Sequence, residues 1–361
     1  MPTPRNRALD GLRGLAALTV FGFHAWMYTR PVPTTGLRTS TADTLLHELR
    51  IGLVLFFVLS GYLLFRPWAE GRPPALGRYV RQRVARLAPA YYAALAGAIV
   101  LLWGIPEAAG VRLPAADQLP LFFVFGQNFD QGTVMRLDPP MWTLAVEVMF
   151  YAVLPLLGAI ALRARRTWVA PLLLLVAGLA WNWWLAGMAR VPVPLAKALP
   201  AMAPYFALGM LAAVALAWRR PGPRLCAALL AGGAALALGD LVWQASEAAD
   251  GISDFWPRVL RDAPAAVGFA AIVAAMASGG APRVLGCRPL AAAGTVSFGL
   301  YLWHVPILVW GRAHGLVPLD PLGATLVVLP LSLLVAAASW RLLERPALER
   351  ARRAIGPTGA R

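Results

Sequence analysis

Four residues with acid–base or cationic chemistry interrupt otherwise apolar sequence: Arg13, His24, Glu147 and His304. An ionisable side chain in a stretch that crosses a bilayer is costly, so each is a functional candidate. Arg13 and His24 stand eleven residues apart, close to three helical turns. They therefore project from nearly one face, about 16 Å apart along the axis. A neutral imidazole near pH 7 is matched to general-base work. A guanidinium suits phosphate, and a carboxylate can orient an imidazole as the third member of a triad does. Plainer readings stand beside these. A histidine can simply bond a neighbouring helix, Glu147 can be buried and protonated, and Arg13 can snorkel to headgroups. His47 and His314 fall at helix edges or loops and read as structural. Cys226 and Cys287 have no histidine or acid nearby in sequence, which argues against a nucleophile.

The elements that must position these residues follow from composition. The 361 residues are 59% hydrophobic and only 14% charged, with a mean hydropathy of +0.62. A soluble domain carries roughly a quarter charged residues, and a disordered chain is far less apolar. Both classes are excluded. The expected fold is all-α, a polytopic transmembrane bundle, with a net charge of +16 that marks cytoplasmic loops rather than nucleic-acid binding. Two cysteines are too few for a disulfide framework. Apolar stretches of spanning length lie at 9–29, 45–65, 87–104, 141–162, 168–187, 198–218, 225–245, 259–279, 291–311 and 321–341. Placing the N-terminus in the cytoplasm puts most of the 33 Lys and Arg residues in inner loops. This predicts ten spans with both termini cytoplasmic, in a multi-pass protein of the plasma or inner membrane. His24, Glu147 and His304 then share the outer half, while Arg13 lies near the cytoplasm. Residues 66–86 predict an amphipathic basic helix on the membrane surface. Residues 105–140 form the longest outer connection, with Leu119 to Phe125 lying in the interface or over a cavity. No cleavable signal peptide, internal repeat or appended soluble domain is expected.

Six ordered segments stand out: LDGLRGLAALTVFGFHAW (9–26), IGLVLFFVLSGYLL (51–64), RYVRQRVARLAPAYY (78–92), MWTLAVEVMFYAVLP (141–155), GTVSFGLYLWHVPIL (294–308) and RLLERP (341–346). Together they resemble the acyltransferase-3 family of integral membrane acyltransferases, whose members O-acetylate envelope polysaccharides or acylate macrolides. The resemblance implies a domain over 1–346, followed by a basic cytoplasmic tail at 347–361. It implies catalytic roles for His24 and Glu147, an acyl-CoA grip from Arg13, Arg83 and Arg86, and substrate or oxyanion contacts from Ser60, Tyr301 and His304. Two positions depart from the family pattern: Val148 replaces a second Glu, and Val54 replaces an acid. Any role needing paired carboxylates is thereby in doubt.

The implied chemistry is transfer of an acyl group, with acetyl the expected one, from acyl-CoA to a hydroxyl of a carbohydrate or glycosylated natural product. Acyl-CoA is a co-substrate; no bound cofactor, metal or nucleic-acid partner is expected. His24 takes the acceptor's proton, and Tyr301 and His304 donate to the oxyanion. A covalent route through His24 or Ser60 stays open. Two other classes compete. A secondary transporter would show paired repeats with broken helices, and none is found; a sensor or scaffold would use the polar residues for packing alone.

Overall fold

Inside a bilayer the backbone finds no water, and a helix satisfies its N–H and C=O groups within one segment. The computed structural model describes residues 6–29, 41–105, 110–249, 259–260, 262–280, 282 and 285–353, and among these no strand occurs. Among the described residues ten long helices carry the fold: α1 (Arg7–Thr29), α2 (Gly52–Ala69), α3 (Leu76–Leu102), α4 (Trp142–Arg163) and α5 (Val169–Ala186), then α6 (Leu199–Trp218), α7 (Pro223–Ala249), α8 (Ala263–Ala277), α9 (Arg288–Ala313) and α10 (Pro321–Ser339). Each apolar stretch of the sequence falls on one of them. Among the described residues, eight helical stretches are long and apolar enough to cross a membrane. The 15-residue α8 is shorter, and α1 carries Arg7, Asp10 and Arg13 near its start. The protein is a helical membrane bundle.

Small residues set the closest approaches, as they do where lipid leaves van der Waals packing to hold helices together. A Cβ on Gly294 of α9 would fall 1.7 Å from the Asp10 carbonyl oxygen, and one on Gly14 of α1 would fall 2.4 Å from that of Leu290. Only glycine lets these two backbones touch, and their crossing fixes the register between His24 and the histidine on α9. The α2–α6 pair uses the same device, with Gly61 against the Phe206 carbonyl and Gly209 against that of Val58. Around it stack Phe57, Phe150 and Phe206, with ring centroids 4.8 and 4.1 Å from Phe206.

Three segments differ from, or sharpen, the sequence reading. The basic stretch is not a separate surface helix. Gly71, at φ 70°, and Pro73–Pro74 end the preceding helix, after which α3 runs unbroken from Leu76, with Arg78 to Arg86 as its first turns. Once nucleated, a helix extends more cheaply than a new one starts. The Leu119 to Phe125 run folds as a short helix, Leu119–Phe123, bolted to α3: Tyr91 and Tyr92 donate to the Phe122 and Phe123 carbonyls at 2.7 and 2.8 Å. Beyond α10, a π turn at Trp340–Glu344 leads into a helix, Arg345–Arg353, that packs against α3. The first part of the expected tail is thus helical, and 354–361 lies outside the described residues.

Candidate functional site

Five helices enclose a cavity of about 270 Å³. Arg13 of α1, Ser60 of α2, Arg83 and Arg86 of α3, Glu147 of α4 and Tyr301 of α9 all line it. These are six of the eight residues singled out from sequence, drawn from segments up to 288 positions apart. Phe56, Phe57, Leu64 and Phe298 supply apolar wall, while nine of the seventeen lining residues are polar or charged, so a ligand there meets both apolar surface and convergent polar groups, the usual character of a small-molecule site. The two positions that lost the family's acids behave as core residues: Val54 is buried, and Val148 packs against the cluster that contains Leu144.

His24 and His304 do not line the cavity. They face each other just beyond Tyr301, buried, with His304 Nε2 2.9 Å from His24 Nδ1. Their protons can be assigned by elimination. The Leu300 carbonyl, 2.9 Å from His304 Nδ1, can only accept, so that nitrogen carries a proton. In the neutral ring Nε2 is then an acceptor, and His24 Nδ1 must donate to it. This leaves His24 Nε2 as the available lone pair. The Tyr28 ring stacks on His24 at 5.9 Å, and Phe23 meets it edge-on at 4.9 Å. Two expectations change. His304, with both nitrogens engaged, has no N–H left for an oxyanion and becomes the partner of His24. Glu147 does not orient the imidazole; its Oε1 accepts from Tyr151 at 2.6 Å and from Ser60 at 3.3 Å. At the cavity end nearest the histidines, the Tyr301 and Thr143 hydroxyls lie 2.8 Å apart and share the Pro140 carbonyl, at 3.0 Å each.

The three arginines are not equivalent. Arg86 donates to Glu344 at 2.8 Å, and Glu344 is fully buried in the π turn; its guanidinium also lies over Phe298 and Trp340. Arg13 reaches Asp10 only at 3.9 Å. Among the described residues Arg83 has no carboxylate partner: it rests over Tyr79 and Tyr151 at 6.0 and 5.7 Å, with Nε buried and unbonded. It is the cation with most capacity left for a ligand anion. Sequence reasoning missed Thr143, Tyr151 and Glu344. Thr143 and Tyr151 sit four residues either side of Glu147 on α4, a spacing that does put them on its face. Because Arg86 closes an interior ion pair, Arg86→Ala is expected to destabilise the protein by about 3–5 kcal/mol by stranding Glu344. The double variant Arg86→Met with Glu344→Leu should recover most of that, as read from unfolding midpoints in detergent.

A family model described as an acyltransferase domain matches residues 6–341. The putative membrane-bound transacylase BcsY of Komagataeibacter xylinus is 28% identical, the match covering 100% of this chain and 87% of that protein. The exopolysaccharide production protein ExoZ of Rhizobium meliloti is 27% identical over 83% of this chain and 90% of its own length. The peptidoglycan O-acetyltransferase OatA of Listeria monocytogenes is 26% identical over 94% of this chain, which spans only 55% of that protein. No solved structure matches.

Proposed function

The chain belongs to the acyltransferase-3 family of membrane O-acyltransferases, and on that premise we propose that it moves an acyl group, acetyl by preference, from acyl-CoA to a hydroxyl of a carbohydrate or glycosylated natural product. One observation carries the reading: an arginine without a carboxylate partner among the described residues, a carboxylate and a pair of hydroxyls share a single cavity that ends against a buried histidine pair. The relatives named for polysaccharide or peptidoglycan work favour a glycan acceptor.

The donor's phosphates engage Arg83 and Arg13, and the thin pantetheine arm runs along Phe56 and Phe57. The thioester then stops at Tyr301 and Thr143. The acceptor hydroxyl gives its proton to His24 Nε2 as its oxygen attacks the thioester carbonyl. The carbon–oxygen bond forms, the carbon–sulfur bond breaks, and the imidazolium proton passes to the leaving thiolate. Rotation of the Tyr301 or Thr143 hydroxyl away from Pro140 supplies a donor for the oxyanion. Excluding water from the cavity once the donor is seated protects the acyl group from hydrolysis. Glu147, held by Tyr151 and Ser60, offers its other oxygen to the donor's amides.

The test uses protein in lipid nanodiscs with acetyl-CoA labelled in the acetyl group. Label should move to a hydroxyl acceptor, with free CoA released in equal amount. Uptake of label into sealed vesicles without CoA release would replace this reading with transport. Acyl-enzyme trapped in the absence of acceptor would replace direct transfer with a covalent route on His24 or Ser60. Arg83→Ala is expected to raise the KM for acetyl-CoA by about 10- to 100-fold, the worth of one charge-assisted contact, with kcat little changed. The wild-type KM should also rise with salt more steeply than that of the variant.

A further inference from the structure

The cavity has two unlike ends, and side-chain contacts fix their order along α4. Tyr151 lies under the Arg83 guanidinium at 5.7 Å, and the Thr143 hydroxyl lies 2.8 Å from that of Tyr301. Eight residues of helix separate the two, about 12 Å along the axis. The same order repeats on α2. Ser60 bonds Glu147 midway, Phe56 meets Tyr301 edge-on at 6.0 Å, and Leu64 stands as far beyond Ser60 as Phe56 stands before it. One end of the cavity is therefore cationic. The other carries the paired hydroxyls, with an apolar corner of Leu53, Phe56 and Leu144 beside them.

The two adjacent phenylalanines of α2 play different parts. Phe57 is buried, its ring 4.8 Å from Phe206 and parallel to Tyr205 at 6.4 Å. That aromatic stack makes it a fixed wall. Phe56 is half-buried and packs against both apolar clusters of the bundle, so its ring stands at the boundary between cavity and core. At about 270 Å³, the cavity falls just below the range of about 300–1,000 Å³ common for ligand sites. A donor arm running its length leaves little space at the hydroxyl end.

The shape of a thioester decides what meets that corner. Its carbonyl carbon is planar and bears three substituents. With the oxygen toward Tyr301 and Thr143, and the sulfur leading back toward Arg83, the third bond points away from the arginines. We propose that the Phe56 ring, backed by Leu53 and Leu144, sets the length of the acyl group. Acetyl and propionyl fit, whereas butyryl and longer chains meet the ring. The inference rests on the acyltransferase reading and deepens it, naming short-chain acyl donors as the substrate class. Protein interiors are close-packed, so each further methylene has to displace a side chain.

The probes are ketone analogues of acetyl-CoA and butyryl-CoA, in which a methylene replaces the sulfur so that no transfer occurs. They are titrated calorimetrically into nanodisc-embedded protein, without any acceptor. The wild type is expected to bind the butyryl analogue at least about tenfold more weakly than the acetyl one. Phe56→Ala should bind the butyryl analogue at least as tightly, because the extra methylenes then bury against apolar wall. Phe56→Leu, a smaller truncation, should cut the preference to about threefold, and it decides the matter if the alanine variant does not fold. Leu64→Ala enlarges the cavity at the arginine end and should shift both dissociation constants alike. Equal binding of the two analogues by the wild type overturns the length limit, as does a preference unchanged in the Phe56 variants or lost in Leu64→Ala; the acyltransferase reading survives each of these. Binding of neither analogue by the wild type overturns the acyl-CoA donor itself, and the inference falls with it.

Discussion

Replacing His24 with alanine is expected to lower kcat/KM for acyl transfer about a thousandfold, within the range that loss of a positioned general base produces. The size follows from geometry. His24 is buried, its Nδ1 is committed to His304, and Nε2 is left as a lone pair with no competing donor. Of the cavity's polar residues, Glu147 already accepts from two hydroxyls and the arginines cannot accept a proton at all. Among the described residues the two histidines are the nitrogen bases nearest the cavity, and His304 already has both ring nitrogens engaged. Donor binding should survive, because the residues that line the cavity do not include His24; the dissociation constant of a non-transferable CoA thioether is expected to change less than threefold. His24→Gln, which keeps a hydrogen bond to His304 without a basic nitrogen, should be as inactive as the alanine variant. A loss below tenfold in both variants, with unchanged donor affinity, would place the base elsewhere.

Much of this site was visible in the sequence because a bilayer enforces economy. Arg13, Glu147 and Tyr301 fall in apolar runs where an ionisable or polar group survives only beside a partner, and the cavity brings them together. The fold class follows from the same arithmetic of apolar length. What stayed hidden depends on approach across the bundle. The contact of His24 with His304, 280 residues away, requires the α1–α9 crossing that Gly14 and Gly294 permit; from sequence alone, each is one more small residue in a helix rich in them. Glu344 sits among arginines in RLLERP and reads as a surface acid, yet the π turn rotates it inward to Arg86. Asp138 stands in a connection between helices, where polarity normally means water, and nothing in the string LDPP announces that a left-handed Leu137 precedes a buried carboxyl. Lone charges in spans are therefore legible, whereas partners brought together by turns are not.

Under the mechanism proposed above, the pairing gives His304 the part of a positioning residue, and its replacement is expected to carry the second-largest loss. In His304→Leu the Nδ1 proton of His24 loses its side-chain acceptor and keeps only the Val20 carbonyl one helical turn back, so the ring is freer to turn or to take the other tautomer, which would put the proton on the nitrogen that must accept. Orienting a catalytic imidazole is worth up to about 10⁴ in the serine-protease triad, where the partner is a carboxylate. A neutral imidazole stabilises the developing imidazolium less, so about a hundredfold loss in kcat is expected here, with the KM for acetyl-CoA within threefold. His304→Gln offers an amide oxygen at nearly the same reach and should regain at least a tenth of wild-type kcat, which a role in packing alone would not explain. Nitrogen-15 spectra of ring-labelled histidine supply a readout independent of turnover: His24 should be the Nδ1–H tautomer in the wild type and a mixture in His304→Leu. A single unchanged tautomer with full loss of activity would mean that His304 acts by touching substrate rather than by holding His24.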